Sequence, residues 1–472
     1  MRKLAAALVL CASSLLAQPS KGVAPFIRYA EPVIALTHVR VIDGTGAPAK
    51  ADQTVVIRNG RIESIGAPVP EGAQVVDLTG HSVLPGLVGM HDHMYYPAPR
   101  VNPAAKEGMY PEHASSFPKL YLAGGVTSIR TTGSVEPYAD LEIKHAIDSG
   151  KAAGPKMHIT GPYLEGPGTF ALQMHQLTGP DDARKTVEYW IFEGATSFKA
   201  YMYITRADLK AAIDTAHSHG LKVTGHLCSV GFTEAADLGI DDLEHGLVVD
   251  TEFTPGKQPD NCPAVAPARE ALAKLDEKGP EIQSLIRHLV EKHVAVTSTL
   301  PVFETFVPGR APADPRVLAA MLPEARKEYL ATRERTAAAK NSLWPNLFAK
   351  EMAFEHDFAK AGGLLLAGLD PTGYGGVIPG YGDQREVELL VEAGFTPLEA
   401  IRVATLNGAT FLGEASDIGL IATGKAADLD VVKGDPSTNI RDIENVAVVF
   451  KNGIGYDPAK LVEAANGTVG LR

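Results

Sequence analysis

Cysteine is scarce in this chain. Only three of the 472 residues are cysteine, and Cys11 lies near the N-terminus. The other two, Cys228 and Cys262, permit at most one disulfide and cannot form a thiolate metal cluster. Any metal must therefore be held by histidine, carboxylate or modified side chains. Whether the two cysteines pair is left open, and Cys228 is expected to be a buried packing residue.

Runs of basic residues are also missing. Lys and Arg total 44 against 56 Asp and Glu, which gives a formal net charge of −12. Nucleic-acid binding depends on clustered Lys and Arg, so a nucleic-acid partner is not expected. The 45% apolar and 21% charged content is ordinary for a globular protein. The expected partner is a small-molecule substrate, and a homo-oligomer is left open.

The N-terminal apolar run is too short for a comfortable membrane span. Arg2 and Lys3 precede an apolar and small-residue stretch over residues 4–16, and Ala17 offers a cleavage point. This pattern predicts a Sec-type signal peptide over residues 1–17, and hence a periplasmic or secreted protein. Leu10 is bulky where a lipoprotein signal needs a small residue before Cys11, which argues against a lipid anchor.

Short β patterns occupy both ends of the chain. Residues 33–84 alternate strand-like segments with turns, including the hairpin signal Asn59-Gly60, and similar segments return at residues 428–433 and 446–450. They predict a shared sheet domain, a small β-sandwich built from residues 30–84 and 415–472.

Between the two ends, short apolar strands alternate with helical stretches, which indicates βα units and a parallel sheet. We predict an α/β fold with a (β/α)8 TIM barrel over residues 85–414, whose active site lies at the C-terminal ends of the strands. Two stretches near 251–267 and 308–350 are predicted as loop insertions on the catalytic face; solvated decoration is the alternative. The eight predicted strands end near His93, Thr132, Tyr163, Met202, Leu227, Gly246, Leu300 and Asp370.

The strongest indications of a metal site lie on two of these strands. His91 and His93 point to the same face of a strand, where two imidazoles can chelate one divalent metal. Lys199 lies within an apolar, aromatic strand, where burial is costly unless the lysine is paired, neutral or modified. An uncharged lysine can react with carbon dioxide to give a carbamate, which would bridge two metals. The alternative is a lysine that reaches solvent at the strand mouth.

Three more polar residues close apolar strands. His226 and His245 lie at successive strand ends, and neutral imidazole is the commonest biological metal ligand. Asp370 closes the eighth strand, which would lie beside the first strand in a barrel. Structural histidines and a helix N-cap are the alternatives.

Together these residues resemble the amidohydrolase superfamily over nearly the whole mature chain. The resemblance includes the HxH motif, the strand-end residues and the junction segments 85–91 and 424–429. It implies two divalent metal ions, most often zinc, with a hydroxide between them. Lys199 would be an N6-carboxylysine bridging both ions, and Asp370 would relay the proton from hydroxide to the leaving amine, which makes these two residues catalytic. The implied metal ligands are His91, His93, Lys199, His226, His245 and Asp370.

The region around Lys199 to His245 is most similar to the imidazolonepropionase-like and prolidase-like branch. Imidazolonepropionase itself usually has one metal and no bridging lysine, so Lys199 argues against that activity. The resemblance therefore implies a metal-dependent hydrolase of an amide-type C–N bond. Its expected substrate is a dipeptide, prolidase-like or of the Xaa-Arg/Lys type, or an N-acyl amino acid. The alternatives are a lactone, carbamate or xenobiotic amide or ester hydrolase, and a non-catalytic metal-binding barrel.

Substrate contacts are predicted from polar residues near the strand ends. Arg130 could hold a substrate carboxylate bidentately. Tyr163, His175, Tyr201 and Tyr203 could donate a hydrogen bond to a developing oxyanion. For each of them a purely structural role is the alternative. Asp92 points to the face opposite the two histidines and is expected to be a structural partner rather than a ligand.

Overall fold

The computed structural model describes residues 20–98, 108–169, 171 and 173–471. The predicted signal peptide, residues 1–17, lies outside the described residues, so its cleavage and the exported location stay predictions. None of the helices within the described ranges combines the length and apolarity needed to cross a bilayer.

Strands and helices alternate through most of the chain. The strands are β1 (Ile27–Tyr29), β2 (Val33–Val41), β3 (Lys50–Arg58), β4 (Arg61–Ile65), β5 (Gln74–Asp77), β6 (His81–Pro85), β7 (Leu87–Asp92), β8 (Val126–Thr131), β9 (Lys156–His158), β10 (Thr160–Leu164), β11 (Ser197–Ala200), β12 (Lys222–Gly225), β13 (Asp242–Glu244), β14 (Ala295–Ser298), β15 (Leu365–Ala367), β16 (Leu429–Lys433), β17 (Val446–Lys451) and β18 (Ile454–Tyr456). The helices are α1 (Phe117–Ala123), α2 (Pro137–Asp148), α3 (Pro180–Glu193), α4 (Arg206–Ser218), α5 (Phe232–Leu238), α6 (Val265–Lys274), α7 (Pro280–Glu291), α8 (Leu300–Glu304), α9 (Pro315–Ala320), α10 (Pro323–Ala337), α11 (Trp344–Lys360), α12 (Tyr381–Glu392), α13 (Pro397–Arg402), α14 (Gly408–Phe411) and α15 (Pro458–Ala465).

Both ends of the chain pair in one nine-stranded sheet. Its order is β1-β18-β17-β16-β6-β2-β3-β4, and β5 pairs with β2. The two ends meet where β16 runs antiparallel to β6, from the pair Leu429 and Pro85 to the pair Lys433 and His81. This confirms the predicted shared sheet, while its arrangement as a sandwich stays a prediction. Apolar residues from both ends, among them Ile34, Leu36, Val55, Val431 and Phe450, form its buried core.

The middle of the chain forms two parallel sheets. One has the order β7-β8-β9 and the other runs consecutively from β10 to β15. The third predicted strand is interrupted at Ile159, so it appears as the two short strands β9 and β10. Hydrogen bonds join the sheets at both edges: Ser134 N to Gly161 O, 3.2 Å, and Asp370 N to His91 O, 3.0 Å. The parallel α/β architecture is confirmed, and closure into a complete barrel stays a prediction.

A glycine permits the close approach of β7 to the end of β15. Position 368 has no room for a side chain, because a Cβ atom there would lie 2.4 Å from the Cβ of His91. Because glycine has no Cβ atom, the chain after β15 can pass directly beside His91. Asp370 is carried to the same place two residues later.

The first predicted insertion packs across neighbouring loops. Lys257 donates from Nζ to the carbonyl oxygen of Ser229 at 2.6 Å, and the Arg206 backbone N–H donates to Asp260 at 2.7 Å. These contacts fasten the insertion to the segments that follow β11 and β12. It therefore lies at the ends of strands that carry predicted site residues.

A disulfide reinforces that attachment. Cys228 pairs with Cys262 across a sequence separation of 34 residues. Cys228 is buried, as expected, but it is a bonded residue rather than a simple packing residue. The bond ties the insertion covalently to the loop that begins at His226.

Removing this bond should destabilise the protein. In the chain-entropy model a loop of this size is worth about 3 to 4 kcal/mol, because the bond restricts the unfolded chain. We expect the double variant Cys228→Ala, Cys262→Ala to unfold at a lower denaturant concentration, and reduced wild-type protein to behave in the same way. Free thiols at both positions in unreduced, denatured wild-type protein would contradict the assignment.

Candidate metal centre and active site

The six predicted metal ligands converge at the carboxyl ends of the parallel strands. Each lies within or just after its strand, so the architecture carries them to one edge of the sheets. They line a single small cavity of about 70 Å³. Its full lining is His91, His93, Tyr95, Tyr110, Tyr163, Met174, Lys199, Tyr201, His226, His245, Asp370 and Thr372.

His91 is the central residue of the group. Its Nδ1 lies 2.8 Å from the Glu244 carboxylate, and because a carboxylate only accepts, Nδ1–H is the donor. Its Nε2 therefore carries no proton and faces the cavity, where it accepts a hydrogen bond from Lys199 Nζ at 3.1 Å. The Asp370 carboxylate lies 4.0 Å from His91 Nε2 and 3.6 Å from His93 Nε2.

His245 and His226 form the other side of the group. The ring centroid of His245 is 4.4 Å from that of His91 and 4.4 Å from that of His226. His245 Nδ1 lies 2.8 Å from the Thr299 hydroxyl and 3.9 Å from Asp370. His91, His245 and Asp370 each offer a ligand atom within 4.8 Å of the others.

Burial keeps the four imidazoles neutral. It lowers the pKa values of His91, His93 and His245 well below the ordinary histidine value, and that of His226 to about 3. The neighbouring Lys199 lowers them further. A neutral imidazole has the lone pair that metal ligation requires.

Lys199 is a buried amine that lacks a counter-ion. It is 1% exposed and, within the described part of the chain, forms no ion pair with a carboxylate. Its Nζ lies 5.4 Å from the ring centroid of Tyr163 and 5.8 Å from that of Tyr201. Burial lowers its pKa to about 8, which makes the neutral amine accessible near physiological pH.

Asp370 and His245 are held in strained backbone conformations. Their φ angles are 49° and 72°, in the left-handed region that costs a non-glycine residue about 1 to 2 kcal/mol. Burial raises the pKa of Asp370 to about 6, and its Oδ1 has no hydrogen-bond partner. An unsatisfied buried carboxylate oxygen facing neutral imidazoles fits a divalent cation as the missing partner.

A buried ion network lies beneath the histidines. Arg130 is 1% exposed and donates from Nη2 to Glu244 at 2.9 Å and to Asp242 at 3.1 Å. It also donates to the carbonyl oxygen of Met90, next to His91, at 2.6 Å. Burial alone would raise the pKa of Glu244, but the cations Arg130 and Lys199 outweigh it, so its pKa lies below the ordinary value. Glu244 is thus an ionised acceptor that orients His91.

The predicted substrate residues separate into two groups. Tyr163 and Tyr201 line the cavity. Arg130 does not reach it, because its guanidinium is engaged below the histidines, so the predicted bidentate contact with a substrate carboxylate is not available. His175 is exposed and lies 3.3 Å from Asp182, away from the cavity lining, and Tyr203 is half-buried and outside that lining.

Several functional neighbours were not identified by sequence reasoning. Tyr110, Met174 and Thr372 line the cavity from irregular segments that have no periodic pattern. Glu244 and Asp242 did carry a signal, because two carboxylates at alternating positions of a short strand point to one face. Asp92 is fully buried and lies outside the cavity lining, and its expected role as a structural partner stays a prediction.

Comparison with known proteins identifies the family. The amidohydrolase family profile matches residues 82–454. A dihydroorotase from Pelobacter propionicus is 32% identical over 120 residues, 24% of this chain and 26% of that relative. The chain thus matches about a quarter of that curated relative's length.

Solved structures show the same fold. A Xaa-Pro dipeptidase with bound methionine in its active site gives a TM-score of 0.66 at 21% identity, covering 90% of this chain and 100% of the other. A bottromycin amidohydrolase gives a TM-score of 0.68 at 20% identity, covering 92% and 91%. With the family profile matched along most of its length, the chain belongs to the amidohydrolase family.

Proposed function

We propose that this protein is a binuclear metal-dependent hydrolase of an amide-type C–N bond. The observation that carries the proposal is the convergence of four neutral histidines and one carboxylate around the buried Lys199. His91, His93 and Asp370 would hold one divalent ion, and His226 and His245 the second. Zinc is the expected metal, since imidazole and carboxylate ligands suit it.

Lys199 would complete the centre as an N6-carboxylysine. Its neutral amine attacks carbon dioxide, an N–C bond forms, and one proton leaves to solvent, which gives a carbamate with two ligand oxygens. The lowered pKa of Lys199, about 8, favours this step because only the neutral amine is nucleophilic. Carboxylation also replaces the positive charge of a protonated Lys199 with a negative charge, which would lie next to the two metal ions.

Divalent ions in this position would lower the pKa of a bound water from 15.7 to about 7 and polarise the scissile carbonyl. Asp370 would accept the proton of the attacking water and pass it to the leaving nitrogen, acting first as a general base and then as a general acid. Tyr163, whose hydroxyl contacts that of Tyr95 above the cavity, would donate to the developing oxyanion.

The proposed substrate is a small amide that ends in an amino acid. A dipeptide or an N-acyl amino acid is the preferred class, supported by the likeness to a Xaa-Pro dipeptidase and an amidohydrolase. Export is proposed too, since the Cys228–Cys262 disulfide is typical of an oxidising compartment.

Lys199 should be needed for metal retention and for turnover together. We expect purified wild-type protein to contain about two metal ions per chain by elemental analysis, because the carboxylated lysine would offer one oxygen ligand to each ion. Lys199→Ala should lose metal and activity. Lys210→Ala, a surface substitution on α4 that removes only an exposed pair with Asp214, is the matched control and should keep both. Wild-type metal content and activity in Lys199→Ala would refute the bridging role.

A substrate screen tests the proposed reaction. Purified metal-loaded protein is assayed for amine release from a library of dipeptides and N-acyl amino acids, with lactones and carboxylic esters in parallel. We expect amine release from at least one amide class, and an Asp370→Asn variant that is about 10²- to 10⁴-fold slower because the proton relay is lost. Turnover confined to lactones or esters, or undiminished in Asp370→Asn, would overturn the proposal.

A further inference from the structure

Aromatic rings extend outward from the His245 side of the metal-binding residues. The Phe303 ring lies 5.8 Å from the His245 ring and 5.8 Å from the Trp344 ring, on which it stacks. Phe306 stacks on Trp344 at 4.7 Å and meets the edge of Tyr374 at 4.8 Å. We call Phe303, Phe306, Trp344 and Tyr374 the aromatic cluster.

The aromatic cluster is built from several segments of the catalytic face. Phe303 and Phe306 follow β14, and Tyr374 follows β15. Trp344 begins α11, at the end of the second predicted insertion. Because loops after parallel strands share one face, the cluster lies on the same face as the metal-binding residues.

The cluster is partly open to solvent. Tyr374 is 54% exposed, and Phe306 and Trp344 are half-buried, whereas Phe303, next to His245, is buried. Aromatic side chains kept partly in water beside a catalytic cavity are suited to contact an apolar part of a ligand.

An arginine that pairs with no carboxylate of the described residues lies on the cluster. The Arg269 guanidinium on α6 is centred 4.7 Å from the Trp344 ring. Among the described residues it makes no ion pair and no hydrogen bond, although the side chain is half-buried. The arginines near α8 differ: Arg310 and Arg385 both pair with Glu304.

The N–H groups of Arg269 indicate that the ligand also carries an anionic group. A guanidinium stacked on an indole keeps its edge donors free, and their fork matches the two oxygens of a carboxylate. A ligand that places an apolar group on the aromatic cluster would bring a neighbouring carboxylate to this edge.

We propose that the aromatic cluster and Arg269 form a specificity subsite for substrates that carry an apolar or aromatic group next to a carboxylate. The inference rests on the proposed function and sharpens it: the part of the substrate that carries the apolar group and the carboxylate binds here, several bonds from the scissile amide. Phe303 lies between this subsite and His245.

Tryptophan fluorescence gives a direct test of binding. The chain has two tryptophans, Trp190 and Trp344, so Trp190→Phe leaves Trp344 as the sole reporter. Metal-loaded Trp190→Phe protein is titrated with 3-phenylpropanoate and with the uncharged 3-phenylpropan-1-ol, neither of which has an amide bond to cleave. We expect saturable emission changes, with the carboxylate binding about tenfold or more tightly, as a charge-assisted hydrogen bond predicts.

Substitution of Arg269 identifies which group receives the carboxylate. In the Trp190→Phe background, Arg269→Gln should remove the preference for the acid, Arg269→Lys should keep part of it, and Arg287→Gln on the exposed face of α7 should change nothing. A preference that persists in Arg269→Gln would place the carboxylate on the metal ions and overturn the proposal. The absence of any saturable response of Trp344 to either compound would overturn it as well.

Kinetics separate this inference from the proposed function. On an amide that the enzyme cleaves and that carries such a carboxylate several bonds from the scissile bond, Arg269→Gln should raise KM about tenfold and leave kcat nearly unchanged, since the carboxylate contact is the same in ground and transition states. Carboxylate-dependent binding without hydrolysis of any amide would retain the subsite and refute the function. Hydrolysis with an unchanged KM in Arg269→Gln would refute the subsite and retain the function.

Discussion

The buried ion pair between Arg130 and Glu244 is the contact on which the site depends. A guanidinium excluded from water requires carboxylate partners, and here they come from β13, while the arginine comes from β8. Glu244 uses its second oxygen to accept from His91 Nδ1, which leaves His91 Nε2 directed into the cavity. The two contacts of Glu244 therefore link β7, β8 and β13 and fix the tautomer of His91.

The same network sets the electrostatics of the cavity. Burial lowers the pKa of Lys199 to about 8 against the opposing effect of the Glu244 and Asp370 carboxylates, and the Arg130 guanidinium that pairs with Glu244 lowers it further. Burial also lowers the pKa values of the histidines beside it well below the ordinary value, and Lys199 lowers them further, so the rings are neutral. Neutral nitrogen ligands and a carboxylate with an unsatisfied oxygen leave a site that a divalent cation would stabilise.

Much of this architecture was predictable, because each metal-binding candidate is a polar residue at the end of an apolar strand. The parallel strands and the pairing of the chain ends followed from periodicity and turn signals in the same way. The role of Arg130 was not predictable, since its partners lie 112 and 114 residues away and only tertiary packing brings them together. The disulfide joins the loop after β12 to the first insertion, and the contact of Arg269 with Trp344 joins α6 to α11; no periodic signal in the sequence indicates either pairing.

The central claim is that these residues hold two metal ions bridged by a modified lysine. The most direct measurement is anomalous diffraction from crystals of the zinc-loaded protein, grown with bicarbonate. The account predicts two anomalous peaks, one beside His91, His93 and Asp370 and one beside His226 and His245, with continuous density from Lys199 Nζ to both. A single peak, or an unmodified Lys199 that bonds to neither ion, would contradict it.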